Sequence, residues 1–133
     1  MTIAVLFVST AVIFLALDAV MLGLHMGPLF RRHLGGQLLE TLRIWPAVVF
    51  YLGYVAGVIW LISAPALREG APLQALIGGA VIGAMAYGTY EFTSFAVMRD
   101  WHWQMVVTDL IWGTALTGFS AWAGVMITRS LTA

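Results

Sequence analysis

Apolar residues follow one another in four long stretches, at about residues 3–25, 44–63, 74–97 and 105–127. A membrane span needs ~20 mostly apolar residues, because each helical residue rises 1.5 Å and the hydrocarbon core is ~30 Å thick. Every stretch reaches about that length, and the polar connectors between them hold most of the charged residues. The pattern predicts an all-α integral membrane protein, a compact bundle of four transmembrane helices that forms one domain over residues 1–133.

The first stretch differs from a secretory signal peptide. It lacks a basic n-region, is longer than a typical apolar h-region and carries Asp18. We therefore expect residues 3–25 to be retained as a helix. Only the connector at 26–43 is long enough to hold structure of its own, in which apolar residues would lie on the membrane interface opposite Arg31 and Arg32.

Composition agrees with a membrane location and excludes several kinds of function. Of the 133 residues 62% are hydrophobic and 9% are charged, and the mean hydropathy is +0.96. The formal net charge is zero and no basic tract occurs, so we expect no nucleic-acid partner. Cysteine is absent, which excludes disulfides, thiolate metal sites and cysteine nucleophiles.

The arginines predict an orientation in the membrane. With four helices, the first and third connectors lie on one side, and that side carries four of the six arginines. The positive-inside rule then places these connectors in the cytoplasm and both termini outside, in a multi-pass protein with Trp101 and Trp103 as interfacial anchors. The four arginines are Arg31, Arg32, Arg43 and Arg99, against Arg68 and Arg129 on the other side.

Three of the six acidic residues, Asp18, Glu91 and Asp109, fall inside predicted spans. Each carboxylate at a helix centre costs ~2.5–3.5 kcal/mol on insertion scales, so such residues usually have a function. The three lie near helix ends that share one side of the membrane, so they can occupy one layer. Four tyrosines reach a similar depth: Tyr51 and Tyr54 on the second helix, and Tyr87 and Tyr90 on the third.

Helical periodicity predicts where these acids point. Glu91 shares a face with Tyr87 and Ser94, and Asp109 shares a face with Trp112. Small and polar residues dominate both faces. We therefore expect the acids to face the interior of the bundle or a cavity rather than lipid.

Two pairs of glycines predict where helices approach closely. Gly53 and Gly57 lie four residues apart on the second predicted helix, and Gly79 and Gly83 have the same spacing on the third. Since glycine has no side chain, the backbone of a partner helix can come close at such small-xxx-small positions. The sequence predicts tight packing at both pairs.

The polar layer predicts a site for a lipid or small molecule near one interface. Buried carboxyl groups that share protons can supply an acid and a base, and tyrosine hydroxyls can donate hydrogen bonds. No signature of a known mechanism accompanies them, neither a phosphate loop, an HExxH motif, a serine nucleophile elbow nor a dinucleotide fingerprint, so it stays open whether a reaction occurs. The candidate catalytic residues are Glu91, Asp109 and Asp18, and the candidate ligand-binding residues are Tyr51, Tyr54, Tyr87, Tyr90, Ser94 and Trp112.

Three other readings remain open. In one, His25 joins Asp18 as a ligand of a divalent metal, although no cofactor can be named. In another, Glu91 is the essential acid of a proton-coupled small-molecule transporter. In the last, the acids pair with arginines, or hydrogen-bond to Tyr and Trp, and hold together an accessory subunit of a larger complex. Membrane lipids are the expected partners, and a homodimer or a larger membrane complex remains an alternative.

Several motifs resemble those of DUF2177, a bacterial family of predicted membrane proteins of unknown function, and the resemblance implies a bacterial inner (cytoplasmic) membrane. They are FYLGYVAG, AYGTYEFTSFAVMRDW and TDLIWGT, with LDAVMLG followed by LFRRHLG near the N-terminus. Glu91 and Ser94 stand where the family usually has Asp and Asn, and Met21 stands where it often has Trp. This chain therefore keeps an acidic residue at position 91 but lacks the Asn amide at position 94. Members are often encoded near cyclopropane fatty-acid synthase-like and flavin-dependent lipid-modifying proteins, which implies a lipid role without naming a reaction.

Overall fold

In the computed structural model, residues 1–38 and 43–132 are described, and they form four helices without any strand in these ranges. The all-helical fold predicted from the sequence is confirmed. Residues 39–42, in the first connector, and residue 133 lie outside the described part of the chain. The helices are α1 (Thr2–Gln37), α2 (Ile44–Arg68), α3 (Pro72–Val97) and α4 (Trp103–Thr132).

Three of the helices, α1, α2 and α4, are long and apolar enough to cross a membrane. The helix α3 also has the length of a span, since 26 residues reach ~39 Å at 1.5 Å each. Its mean hydropathy is lowered by Gln74, Glu91 and several glycines. The crossing of the membrane by α3 therefore stays a prediction.

The helix α1 does not end at residue 25 as predicted but continues to Gln37. The prediction ended the helix where the run of apolar residues ends. The helix itself continues as long as its backbone hydrogen bonds continue. Arg31 and Arg32 are both exposed on this extension. The first connector is therefore largely helical within its described residues, and α4 likewise begins before and ends after the predicted range 105–127.

Two wide π-helical turns, Leu22–Met26 and Ile59–Ser63, interrupt α1 and α2. Each turn ends two residues before a proline, Pro28 in the first case and Pro65 in the second. A proline lacks the N–H of a regular helical turn, and its ring crowds the carbonyl four residues earlier. That carbonyl lies inside the wide turn both times, so the turn lets the helix continue past its proline.

The antiparallel helices α3 and α4 form the closest pair. A Cβ atom on Gly79 would lie 2.9 Å from the backbone oxygen of Thr117, and one on Gly83 would overlap the backbone of Gly113. Since these helices meet backbone to backbone, the tight packing predicted at Gly79 and Gly83 is confirmed. It joins the N-terminal half of α3 to the middle of α4, on the side of the acids that faces away from the first and third connectors.

The other glycine pair does not mediate packing in the described structure. A Cβ atom on Gly53 or Gly57 would meet nothing within 4 Å. The helix α2 instead buries Val55, Val58 and Ile59. The predicted close approach at Gly53 and Gly57 is therefore wrong within one chain, because the spacing alone does not show which face of a helix is covered.

Two apolar clusters hold the helices together. One lies between α1, α2, α3 and α4 and includes Leu6, Phe14 and Leu116. The other joins the end of α1 to the start of α4 through Met26 and Met105. The polar residues described below lie between these clusters, and their position is thus fixed from both ends.

The first and third connectors lie at the same end of the molecule, as the even number of helices between them requires. Gln37 Nε2 donates a hydrogen bond of 2.7 Å to Asp100 Oδ2. The rings of His33 and His102 stack with centroids 4.3 Å apart. These contacts close the end of the helix assembly nearest the acids.

Candidate functional site

A cleft of about 490 Å³ opens between the four helices near the connector end. Three residues at its mouth, Leu22, Phe50 and Tyr90, are about half exposed. Because they lie on the outer surface of the helices, the cleft opens sideways, toward the region that lipid would fill. The polar side chains that line it are Asp18, Tyr51, Tyr87, Thr89, Tyr90 and Asp109, and the apolar ones are Leu22, Met26, Phe30, Phe50 and Ala86.

The structure brings Asp18, Glu91 and Asp109 together. Asp18 and Asp109 both line the cleft, with 4% and 8% of their surface exposed. Glu91 is 0% exposed and lies behind Asp109, with the two carboxyl groups within hydrogen-bonding reach of each other. The acids therefore form a connected group in which Asp18 and Asp109 face the cleft and Glu91 supports Asp109 from the interior.

Tryptophan side chains, rather than arginines, provide the donors to these acids. Trp101 Nε1 donates to Glu91 Oε1 at 2.9 Å, and Trp112 Nε1 donates to Asp18 Oδ1 at 3.2 Å. No arginine lines the cleft within the described residues. An indole N–H satisfies one oxygen without neutralising the acid, so the site keeps its acidic character.

The carboxyl groups of Glu91 and Asp109 lie close enough to hold one proton between them. Glu91 Oε2 is buried and receives no N–H or hydroxyl donor among the described residues. Two carboxyl oxygens in contact repel each other unless a proton lies between them. With one proton the pair makes a hydrogen bond and carries a single negative charge, which is the arrangement that acid–base chemistry needs.

The four predicted tyrosines divide into two groups. Tyr51 lies close to Asp18 and to Tyr87, and the Tyr87 hydroxyl is buried with no hydrogen-bond partner among the described residues. Together with Tyr90 these side chains line the cleft. Tyr54 does not line it, and its hydroxyl instead pairs with Thr117 Oγ1 at 2.9 Å. Tyr54 thus supports the packing of α2 on α4.

Three other predicted site residues do not line the cleft. Trp112 contributes indirectly, because its indole donates a hydrogen bond to Asp18. Ser94 is half-buried. His25 is exposed on α1. In the part of the chain that the structure describes, no group of three or more His, Asp or Glu side chains could hold a metal ion. The metal reading with His25 and Asp18 therefore gains no support from the geometry.

Sequence reasoning missed the role of Trp101. The prediction treated it as an interfacial anchor, but it is buried at 6% exposure and donates to Glu91. The backbone becomes extended at Met98, directly after α3, and then turns, which brings the indole back against the helix. Helical periodicity could not predict this contact, because Trp101 lies beyond the end of α3 and helical spacing does not apply there. The only signal was the buried acid's need for a donor.

Comparison with known proteins gives one match. The family model of DUF2177, described as a predicted membrane protein, matches residues 3–126. This range contains every residue that lines the cleft. No curated protein and no solved structure matches the chain.

Proposed function

The chain belongs to the DUF2177 family of predicted membrane proteins, and on this premise we propose that it binds a lipid or another small amphiphilic molecule in the cleft. One observation carries the proposal: the cleft has an apolar mouth on the side of the molecule, with Asp18, Asp109 and tyrosine hydroxyls in its interior. Its volume of about 490 Å³ is within the range of ~300–1,000 Å³ typical of ligand pockets.

The distribution of polar and apolar groups in the cleft suits a molecule with one polar and one apolar end. Phe30 and Phe50 offer apolar and aromatic surface for a hydrocarbon chain. Tyr87 offers a hydroxyl group without a hydrogen-bond partner among the described residues, and Asp109 offers a buried carboxyl group that faces the cleft. A lipid could enter through the side opening without passing through water, and its polar end would meet groups that otherwise stay unsatisfied.

The acid pair supports a second candidate function, an acid–base step on the bound molecule. Asp109 faces the cleft and can exchange a proton with a ligand, while Glu91 lies behind it in contact with its carboxyl group. A carboxyl pair that shares one proton can act as either acid or base. In this reading the protein modifies a lipid. Glu91 holds Asp109 in position and exchanges a proton with it.

Proton-coupled transport has weaker support. A transporter needs a polar route through both halves of the membrane, and the acids lie near one end only. In the other half, α3 and α4 meet backbone to backbone around Gly79 within the described residues. The accessory-subunit reading allowed the acids to pair with arginines or to hydrogen-bond to Tyr and Trp. The bonds of Glu91 and Asp18 to Trp101 and Trp112 fit its second form, but this reading does not account for a cleft lined by Asp18 and Asp109.

Native mass spectrometry of the purified protein, followed by lipid analysis of the bound fraction, tests the binding function. We expect the wild type to carry about one amphiphile per chain. The occupancy should fall in Ala86→Leu, which fills the cleft without removing an acid, and in Asp109→Asn. Glu69→Gln, a change at an exposed acid between α2 and α3, is the matched control and should keep the ligand. Equal occupancy in all four proteins would contradict the proposal.

A further inference from the structure

The cleft is acidic and contains no compensating positive charge. Asp18 and Asp109 line it, and neither an arginine nor a histidine does so within the described residues. Even if Asp109 and Glu91 share a proton, the pair keeps one negative charge, and Asp18 adds its own when ionised. An anion placed beside these groups would be repelled in a site that water screens poorly.

The same cleft has more hydrogen-bond acceptors than donors. A carboxylate offers about four lone-pair sites, and the Trp112 indole and the nearby Tyr51 hydroxyl fill at most two of those on Asp18. Asp109 is more than nine-tenths buried, and its hydrogen-bonding neighbour is another acid. The Tyr87 hydroxyl, buried without a partner, can donate to a ligand or accept from it. Buried acceptors are rarely left unsatisfied, so a bound molecule that brings hydrogen-bond donors suits this cleft.

Resting on the proposed function, we infer that the ligand enters with a hydrogen-bond-donating polar end, either a hydroxyl or a protonated amine, and that ends made of phosphate or carboxylate are excluded. A hydroxyl can donate to Asp109 or Asp18 while it accepts from Tyr87. A protonated amine can donate to several of these oxygens at once, and it also supplies the positive charge that the site lacks.

The volume limits how much of the ligand the cleft holds. About 490 Å³ is in the lower half of the range of ~300–1,000 Å³ typical of ligand pockets. That is room for a small head and the first part of one chain. The remaining chain leaves between Leu22 and Phe50 into the membrane. The inferred ligand class is thus a lipid or lipid precursor with a small neutral or cationic head, such as a long-chain alcohol or amine.

Three probes with the same saturated twelve-carbon chain test this inference: dodecylamine, dodecanol and dodecyl phosphate. Each is titrated into the protein in nanodiscs, and the number of bound molecules per chain is measured by native mass spectrometry. We expect dodecylamine and dodecanol to saturate at one per chain and dodecyl phosphate to bind at least about tenfold more weakly. The ratio of amine to alcohol affinity tells which of the two donors the cleft prefers.

Two variants identify the groups that cause the selectivity. Asp18→Asn keeps an oxygen for the Trp112 indole and removes one charge, so it should weaken dodecylamine about tenfold and dodecanol much less. Glu69→Gln should change neither probe. Saturable binding of dodecyl phosphate as tight as that of the amine would overturn the inference while leaving the proposed binding site intact. If none of the probes binds saturably to the wild type, the proposed function fails as well.

Discussion

The indole Nε1 of Trp101 donates a 2.9 Å hydrogen bond to Oε1 of Glu91, although the end of α3 lies between the two residues. Both side chains are almost completely buried. With one oxygen held by the indole, the other oxygen of Glu91 stays beside the carboxyl group of Asp109. The connector after α3 therefore fixes the orientation of the acid pair.

Trp101→Phe should destabilise the protein. The change removes the indole donor to the buried Glu91 carboxyl group and keeps most of the aromatic surface, so we expect a loss of about 1–3 kcal/mol in the free energy of unfolding. Thermal unfolding in a mild detergent, followed by circular dichroism, measures the effect. Trp103→Phe is the matched control, since Trp103 is 57% exposed and its replacement should change stability little. Equal losses in both variants would contradict a structural role for the Trp101 bond.

The shared proton predicts a difference between two replacements of Glu91. In Glu91→Gln the amide oxygen can accept from Trp101 and the amide nitrogen can donate to Asp109, so we expect stability within about 1 kcal/mol of the wild type. Glu91→Leu leaves both neighbours without a partner and should cost about 1–3 kcal/mol more than Glu91→Gln. Unfolding of both variants in the same detergent makes the comparison. If the two changes were equally costly, a proton between Glu91 and Asp109 would be unsupported.

Helical periodicity predicted the orientation of the acids in this site. It could not predict contacts that depend on a turn after a helix or on the presence of a neighbouring helix. The spacing along α3 and α4 correctly turned Glu91 and Asp109 inward, because side chains at i, i+3 and i+4 share a face. Trp101 was misplaced since its position depends on the turn after Met98. Gly53 was misjudged for a different reason: a small residue permits close approach but does not say whether a partner helix is there.

Tyr87 and Tyr54 should respond differently to loss of the hydroxyl group. Tyr87→Phe removes an unpartnered buried hydroxyl in the cleft, so stability without ligand should stay the same or rise, while binding of the co-purified amphiphile weakens. Tyr54→Phe breaks the bond to Thr117 outside the cleft and should cost about 1 kcal/mol of stability without loss of binding. Unfolding and native mass spectrometry on both variants separate the effects. A reversed pattern would remove Tyr87 from the site.

The two glycine pairs allow a direct test of the packing. A Cβ atom on Gly83 would overlap the backbone of Gly113, which cannot move without separating α3 from α4, so Gly83→Ala should cost about 1–3 kcal/mol or more. Gly53→Ala meets open space and should be neutral or stabilise by up to about 1 kcal/mol, because alanine favours the helix. Thermal unfolding of the two variants measures both. A large loss in Gly53→Ala together with a change in oligomeric state would instead show that this face contacts a second copy.

Cysteine labelling can decide whether α3 crosses the membrane and which side its ends face. The chain has no cysteine of its own, so Glu69→Cys and Asp100→Cys each introduce one reactive thiol, at exposed positions before and after α3. Since the arginine distribution favours a cytoplasmic third connector, a membrane-impermeant thiol reagent should label Asp100→Cys only in inside-out vesicles and Glu69→Cys only in intact spheroplasts. The opposite pattern would keep the α3 span and reverse the orientation. If both positions reacted from one side, α3 would not cross, and the cleft would then face the interface rather than the membrane interior.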